Sequence, residues 1–361
     1  MLGNRPRAAM PTPLLTPLLL LPVLAAPQDG PAFEDPLLRA PRPARTLQDF
    51  EPMLGQWVGQ GVAFDKEDGE PMQWTATLLV ERVLDGHGVR QDMVVDLGEV
   101  LPGGFRSTTF YAHDPQAGHL VAVSCDNRKG VARSVAAWSD NVLLTATMGE
   151  NGGQLAIERS TFTFAEGKAH YEILHMQDTH AGYVMADGHF RPFTGERSKV
   201  EDASVTQNSP ETELSKLARS LGSMRLEGTV VPQSGQAPIP MSAIERSELF
   251  AGGRGMITEV TGEPEPGFPG YQEIRMVSWN TLRKSYDILW MDNQGLSGAM
   301  QGWLHDGALV VVDSGTFQGA PYAQRTTTFL GPKGPTVVTS DRLWGVGPGR
   351  RVFEGRYKPL K

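Results

Sequence analysis

The sequence is poor in cysteine and in positive charge. One cysteine among 361 residues excludes an internal disulfide and any metal site built from several cysteines. Lys and Arg number 33 against 41 Asp and Glu, which gives a formal net charge of −8 and argues against a nucleic-acid partner. The chain also lacks the G-x-S-x-G and H-E-x-x-H motifs and a phosphate-binding glycine loop. We therefore favour a protein that is not an enzyme.

Turn-forming residues are abundant. The chain has 41 Gly and 27 Pro, so turns are expected to be frequent and long helices are disfavoured. Hydrophobic residues make up 40% and charged residues 20%, which is typical of globular proteins. The length is sufficient for two domains, each with its own core.

The N-terminal segment resembles a secretory signal. Arg5 and Arg7 precede an apolar run from Leu14 to Leu24, and Val23-Leu24-Ala25 offers a small-residue cleavage site. We predict a signal peptide at residues 1–25, a disordered segment at 26–45, and a secreted or periplasmic protein with no transmembrane segment after signal removal. Loss of the two arginines would change the formal charge from −8 to −10. An uncleaved anchor or a misassigned start site is the alternative.

The most informative feature is an internal repeat. Segments of the first half recur at a spacing of 167 residues, which shortens to 166 in the middle and returns to 167 at the end. The matching pairs are Leu54-Gly55-Gln56-Trp57 with Leu221-Gly222-Ser223-Met224, Gly61 with Gly228, Glu81 with Glu248, Asp126-Asn127 with Asp292-Asn293, Arg159 with Arg325, and Gly188 to Pro192 with Gly355 to Pro359. Collinear matches of this kind predict a tandem duplication.

Each repeat is predicted to be an all-β domain preceded by a short helix. Apolar residues at helical spacing predict that each helix faces a core: Leu47, Phe50 and Leu54, then Leu214, Leu217 and Leu221. The remainder favours strands separated by turns such as Asp140-Asn141 and Asp306-Gly307, which suit tight hairpins. Closure removes exposed edges, so we predict two tandem antiparallel up-and-down β-barrels, with a two-sheet sandwich as the alternative. The assigned ranges are 46–194 for barrel 1, 195–211 for a linker and 212–361 for barrel 2.

The first strand carries a family resemblance. Gly55-Gln56-Trp57 after a short helix resembles the first-strand motif of the lipocalins and their calycin relatives. The string from Gly55 to Gly61 is similar, more weakly, to the G-x-W-x-G-x-G signature of the nitrobindins. With the export signal, the repeats most resemble an uncharacterised family of exported bacterial domains of unknown function. The resemblance implies that Trp57 closes the barrel floor beneath a late cation, for which Arg191 and Lys358 are the candidates.

Several residues are candidates for contact with a ligand inside the barrels. Methionine and aromatic side chains adapt to apolar ligands, and an arginine can bind a ligand carboxylate, although the same residues also fill cores. The sequence does not decide whether the two arginines among the candidates face the barrel interior or the solvent. The candidates are Trp57, Trp74, Arg159, Met241, Trp290 and Arg325.

Seven of the eight histidines lie in the first repeat. His170, His175 and His180 are too far apart along one strand to share an ion, and His113 with His119 is the better pair, but we expect no metal site. His189, followed by Phe190, has a position comparable to that of the haem-binding histidine of nitrobindins. We expect no cofactor, with haem in barrel 1 as the alternative.

The expected function is therefore binding of an apolar or amphipathic small molecule by an exported, non-enzymatic protein. A protein of solid barrels with a structural or interaction role in the cell envelope is the alternative, and its protein partner is unknown. Catalysis by the paired carboxylates of the two repeats also stays open. If one barrel alone binds a ligand, we expect it to be barrel 1, because Met224 replaces the motif tryptophan in barrel 2.

Overall fold

A computed structural model of the chain describes residues 45–114, 118–127, 130–151, 154–177, 182–195, 213–231, 237–250, 253–264, 270–280, 283–317, 320–344 and 349–360. The predicted signal peptide, residues 26–44 of the segment predicted to be disordered, His180 and most of the predicted linker lie outside these residues. Both barrels belong to one compact unit.

The chain forms two closed antiparallel barrels of ten strands each. In both barrels every strand pairs with its neighbours in sequence, and the first strand pairs with the tenth, which is the predicted up-and-down topology and excludes the sandwich. Barrel 1 consists of β1 Gly55–Ala63, β2 Met72–Val83, β3 Gly88–Asp96, β4 Phe105–Asp114, β5 His119–Asp126, β6 Gly130–Ser139, β7 Val142–Asn151, β8 Gln154–Ala165, β9 Lys168–Gln177 and β10 Tyr183–Pro192. Barrel 2 consists of β11 Gly222–Val230, β12 Ile239–Phe250, β13 Gly255–Gly262, β14 Gln272–Asn280, β15 Ser285–Asp292, β16 Ser297–His305, β17 Ala308–Phe317, β18 Ala320–Gly331, β19 Gly334–Trp344 and β20 Arg350–Pro359.

A short 3-10 helix precedes each barrel, as the apolar spacing predicts. The first plug helix spans Arg45–Met53 and the second Leu214–Ser220. Leu47 and Phe50 are fully buried in barrel 1, and the apolar residues at the repeat positions bury in barrel 2 in the same way. The tight hairpins are also present, since Ser139 pairs with Val142 around Asp140-Asn141.

Aromatic side chains fill the interior of barrel 1. The Phe162 and Tyr171 rings lie 4.4 Å apart, and the Phe50 ring of the plug helix contacts Tyr111 at 4.9 Å. Glycine is required where the wall passes close to this core: a Cβ on Gly61 would lie 2.6 Å from the buried Trp74 ring. The first-strand glycines of the motif thus allow close approach of the backbone.

The two barrels meet through an apolar cluster on their outer walls. Residues that point outward from β4 and β5 pack against outward residues of β13, β14 and β15. The contact uses equivalent positions of the two repeats: Phe110 with Met276, Val123 with Leu289, and Cys125 with Met291 all belong to the cluster. Self-complementary use of one surface is typical of two-fold interfaces. The duplication therefore reproduces a dimer-like contact within one chain.

Polar contacts flank this apolar cluster. The Gln272 amide donates to Asp85 Oδ2 at 3.0 Å, and Arg90 Nη1 lies 3.9 Å from Glu259 Oε1. Cys125 is fully buried in the cluster, and burial raises the pKa of its thiol. Cys125 therefore packs as a small hydrophobic residue.

Candidate functional site

The four apolar site candidates face the barrel interiors but do not form one site. Trp57 and Trp74 are buried in barrel 1, whereas Met241 and Trp290 are half-buried on the interior face of barrel 2. The Trp57 indole Nε1 donates to the Met53 carbonyl oxygen at 2.9 Å, so the plug helix closes this end of the barrel.

The expected cation over Trp57 is absent from the described contacts. Arg191 pairs with Val58 in the register, and its exposed side chain lies on the outer wall, opposite to Trp57. The corresponding late cation of barrel 2, Lys358, forms an ion pair with Glu227 on the outer wall. Since side chains alternate along a strand, the buried position falls on Phe190 instead.

The two arginine candidates also point outward. Arg159 Nη2 lies 3.4 Å from Glu172 Oε1 on barrel 1, and Arg325 Nη2 lies 2.9 Å from Asp341 Oδ2 on barrel 2. Both side chains are exposed. Neither can meet a ligand carboxylate inside its barrel, because the register places it on the outer face.

His189 does not fit haem binding within barrel 1. Its exposed side chain lies on the outer face, where its ring is 4.9 Å from the ring of His170. His170 Nε2 in turn lies 2.7 Å from Asp187 Oδ2. The interior position is taken by the buried Phe190. Among the described residues, no group of three or more His, Cys, Asp or Glu side chains is arranged to hold a metal ion.

His170 and His175 are separated in the structure, as their spacing along one strand predicts. His175 is buried and His170 is half-exposed, so the two lie on opposite faces of β9. His119 pairs with Asp114 rather than with His113. His113 and His119 therefore do not face each other across the hairpin.

Barrel 2 has a polar interior in place of the aromatic one. Arg275 forms ion pairs with Glu245, at 3.1 Å, and with Glu273, while the Tyr357 hydroxyl donates to Glu245 Oε2 at 3.1 Å. Burial lowers the pKa of Arg275, but the carboxylates of Glu273 and Glu245 outweigh it and raise the pKa above the ordinary value. The arginine is thus permanently charged and neutralised by its neighbours.

A buried carboxyl lies beside these groups. Asp292 pairs across the sheet with Glu273, and its Oδ1 accepts hydrogen bonds from the backbone of Gln294 at 2.9 Å and Leu296 at 3.0 Å. Burial raises the pKa of Asp292 to about 7, with a further contribution from the charge of Glu273, against the opposing effect of the two hydrogen bonds.

A cleft with a volume of about 1250 Å³ lies between the barrels. Both repeats contribute to it at equivalent positions: Thr147, Ala156 and Glu158 of barrel 1 correspond to Asp313, Tyr322 and Gln324 of barrel 2, and all but Tyr322 line the cleft. Its apolar lining includes Met148, Trp279, Ile288, Leu289, Met300, Val312 and Leu343. Its charged lining consists of Arg133, Glu158, Arg283, Asp287, Asp313, Arg325, Asp341 and Arg342.

Side chains of β17, β18 and β19 form a connected group at the cleft, which we name the Asp313 cluster: Asp313, Tyr322, Gln324 and Arg342. The Tyr322 hydroxyl donates to Asp313 Oδ2 at 2.8 Å. Arg342 Nε and Nη2 both donate to Gln324 Oε1, at 2.8 and 2.5 Å, and its guanidinium carbon lies 5.4 Å from the centre of the Tyr322 ring. Burial raises the pKa of Asp313, although the Tyr322 hydrogen bond and the Arg342 charge oppose it.

The equivalent place in barrel 1 holds a different pair. Glu158 and His175 are opposite each other in the β8–β9 register, as Gln324 and Arg342 are in the β18–β19 register. Glu158 Oε1 lies 3.2 Å from His175 Nδ1, and His175 is buried. Both barrels therefore present a polar cross-strand pair at this position, but with different charges.

Sequence reasoning missed Asp313, Gln324 and Arg342. Each of these residues shares its strand face with core residues, since Asp313 follows the buried Val311 by two positions and Arg342 follows the buried Val338 by four. The signal that could have identified them is a polar or charged residue two or four positions from an apolar core residue on the same strand, because such residues share one face of the strand. Of the predicted ligand-binding residues, Arg325 alone lines the cleft.

Comparisons with known proteins add little on function. No family model and no curated protein matches the chain. Among solved structures, Rv2717c from M. tuberculosis is 11% identical and aligns over 42% of this chain and 99% of its own length, with a TM-score of 0.33. A protein of unknown function from the DUF3598 family of Nostoc punctiforme is 11% identical and aligns over 88% of this chain and all of its own, with a TM-score of 0.27.

TM-scores this low support no transfer of function. The two ten-stranded barrels fit a tandem calycin-like arrangement, whereas neither the comparisons nor the outward position of His189 supports the similarity to nitrobindins. Within the described part of the chain, no helix has the length and apolar character needed to cross a membrane.

Proposed function

We propose that this protein, exported as its N-terminal segment predicts, binds an amphipathic small molecule in the cleft between the barrels. The observation that carries the proposal is a cleft of about 1250 Å³ whose lining combines apolar side chains with charged ones. Ligand sites in proteins are typically concave and largely apolar, with a few polar groups that orient the ligand. Barrel 1 by itself is a poorer candidate, because aromatic side chains occupy its interior.

Exposed apolar side chains at the cleft support this function. Met148 of barrel 1 and Leu343 of barrel 2 keep 74% and 55% of their surface exposed, and both line the cleft. Val312 contributes a third exposed apolar surface. A ligand with an apolar portion would cover these side chains, and the gain is about 25 cal/mol for each Å² of apolar surface removed from water.

The test combines native mass spectrometry with a fluorescent probe. The protein is expressed with its own signal and purified in its exported form without detergent, and a co-purifying mass that is released on denaturation identifies a resident ligand. In parallel, N-phenyl-1-naphthylamine, a neutral amphipathic dye, is titrated into the protein. We expect saturable binding of the dye in a one-to-one ratio.

A cleft-filling variant locates the binding. Ala299 and Ala323 are exposed and line the cleft, so the double variant Ala299→Trp, Ala323→Trp narrows it without disturbing a core. Ala165 and Ala218 are exposed outside the cleft lining, and their double change to Trp is the matched control. Dye binding that persists in the cleft variant, or that is lost in both, would contradict the proposal. A clean apo mass together with no dye binding would favour the alternative role in protein interaction.

A further inference from the structure

The cleft lining contains two parallel rows of residues on the outer wall of barrel 2. Both rows cross the neighbouring strands β15 to β19, which are spaced about 4.8 Å apart and together span about 19 Å. The rows are two residues apart on each strand, so they lie about 7 Å from each other. The first, which we name the polar row, consists of Asp287, Gln301, Val312, Arg325 and Asp341, each opposite the next in the register. The second, which we name the apolar row, consists of Leu289, Ala299, Ser314, Ala323 and Leu343.

The two rows differ in the surface that they present to the cleft. Leu343 keeps 55% of its surface exposed, and Ala299 and Ala323 are exposed as well, so the apolar row offers apolar surface across several strands. The polar row offers carboxylate, amide and guanidinium groups. β17 is the exception in both rows, since it places Val312 in the polar row and Ser314 in the apolar row. The wall is therefore divided lengthwise, with hydrogen-bonding groups along one side and apolar groups along the other.

The charges of the polar row are neutralised within the protein. Asp341 accepts from Arg325 at 2.9 Å and from Arg351 at 2.6 Å, and Asp287 Oδ2 accepts from the Asn280 amide at 2.7 Å. A charged ligand group would compete with these contacts and would lose its own hydration. A hydroxyl group can donate to a remaining lone pair of a carboxylate without displacing a cation. The polar row therefore favours uncharged hydrogen-bonding groups over charged ones.

Gln301 is the uncharged hydrogen-bonding residue of the polar row. It is half-buried and lies opposite Asp287 on one side and Val312 on the other. Its amide carries N–H donors and an oxygen acceptor, so it can bind a hydroxyl group in either sense. At the repeat spacing of 166 residues, the equivalent position in barrel 1 is Val135. The amide is thus specific to the wall of barrel 2 that lines the cleft.

We propose that the cleft takes a rigid, uncharged amphiphile that carries hydroxyl groups along one long side, as a polyhydroxylated polycyclic molecule does, in preference to one with a single polar group at one end. The ligand lies across β15 to β19 with its hydroxyl groups over the polar row and its apolar side over the apolar row. Rigidity matters because a preformed shape loses little conformational freedom on a wall of fixed geometry. The inference rests on the proposed binding function and adds the class of ligand to it.

The experiment is displacement of N-phenyl-1-naphthylamine from the protein by two steroid esters with one skeleton. Methyl cholate carries three hydroxyl groups along one side of its rings, whereas methyl lithocholate carries one, at the end of the ring system. Both are uncharged and are used below their solubility limits. We expect methyl cholate to displace the dye at a concentration about tenfold lower, as one or two net hydrogen bonds allow. Apolar burial by itself predicts the opposite order, because methyl lithocholate is the more apolar ester.

Variants of the polar row locate this preference. Gln301→Leu removes the amide and should lower the preference severalfold, whereas Val312→Thr adds a hydroxyl group at nearly the same size and should raise it. Gln60→Leu makes the same change as Gln301→Leu on the outer wall of barrel 1, outside the cleft lining, and should leave the preference intact. Cholate, which has a carboxylate in place of the ester, should not displace the dye at a lower concentration than methyl cholate does.

The outcomes separate this inference from the proposed function. Equal displacement by the two esters, or a stronger effect of methyl lithocholate, overturns the class of ligand while saturable dye binding still supports the cleft. A preference that Gln301→Leu leaves unchanged overturns its assignment to the polar row, and if that variant does not fold, an unchanged preference in Val312→Thr does so. Stronger displacement by cholate than by its ester overturns the uncharged character of the ligand. Dye binding that survives the cleft-filling variant overturns both proposals.

Discussion

Asn127 and Asn293 make the same hydrogen bonds in the two barrels. The Asn127 side chain accepts from the Arg106 backbone N–H at 3.1 Å and donates to the Gly104 carbonyl at 2.9 Å. Asn293 repeats both contacts with Gln272 and Gly270, at 3.1 and 2.7 Å. In each barrel, the asparagine of the recurring Asp-Asn dipeptide therefore links the end of one strand, β5 or β15, to the start of the strand paired with it, β4 or β14. Its role is therefore structural.

The two asparagines should differ in their contribution to stability. Asn293 is fully buried, whereas Asn127 is half-buried. Asn293→Ala leaves the half-buried Gln272 N–H and the buried Gly270 carbonyl without this partner, so we expect a loss of about 2–4 kcal/mol in the free energy of unfolding. Asn127→Ala should cost about 1–2 kcal/mol, because water can replace part of the contact. Urea denaturation measures both, and equal losses would contradict the role of burial.

Trp57 should be a principal stabilising residue of barrel 1. It packs against the Phe164 ring at 5.9 Å and donates to Met53. Trp57→Ala is expected to reduce the free energy of unfolding by about 3–5 kcal/mol. Trp57→Phe should cost less, because it keeps most of the apolar contact and loses the hydrogen bond. The equivalent change in barrel 2, Met224→Ala, is the comparison, and the half-buried Met224 should be less sensitive. A larger effect at Met224 would contradict this assignment.

Cys125 should be inert while the barrels remain in contact. It is fully buried in the cluster between them, and a Cβ on Gly255 would lie 2.6 Å from its Sγ. Burial also raises the pKa of the thiol. A disulfide reagent such as Ellman's reagent should therefore leave Cys125 of the native protein unmodified over the time in which it modifies Cys125 of a denatured control. Gly255→Ala should weaken the contact and make the thiol reactive. Rapid reaction in the unmodified chain would contradict a closed interface.

Asp292 should make the protein less stable as the pH rises. Its pKa is about 7 in the folded state against 3.8 ordinarily, so between these values the folded protein binds more protons than the unfolded one. The free energy of unfolding therefore decreases as the pH rises from about 4 to about 7, by up to about 1.4 kcal/mol per pH unit from this group. Asp292→Asn keeps the acceptor for the Gln294 and Leu296 N–H groups and should remove this slope.

The control for Asp292 is its repeat counterpart. Asp126 ends β5 as Asp292 ends β15, but it is half-buried. Asp126→Asn should change the slope less than Asp292→Asn does. Denaturation at several pH values in buffers of equal ionic strength gives the comparison. An unchanged slope in Asp292→Asn would contradict a buried carboxyl that titrates near neutrality.

The candidate site was harder to predict than the fold. Residue spacing within one element is a local property, and at helical intervals it identified Leu47 and Phe50 as core residues correctly. It could not say that Arg159 and Arg325 lie on the outer wall, because that depends on the register with neighbouring strands. A resemblance in the first strand likewise could not show that Met53, rather than Arg191, closes the barrel over Trp57.

The repeat spacing, the turn signals and the helical stripes determined two tandem up-and-down barrels with plug helices, because each of these signals acts over a few residues or is copied whole by duplication. Only the tertiary structure decided how the copies meet. The contact of Cys125 with the second barrel and the placement of Glu158, Gln324 and Arg342 around one cleft depend on the packing of strands that are distant in sequence. The burial and the electrostatics of residues between the two barrels depend on which surfaces pack together and exclude water. The order of apolar and polar residues along the sequence does not contain that information.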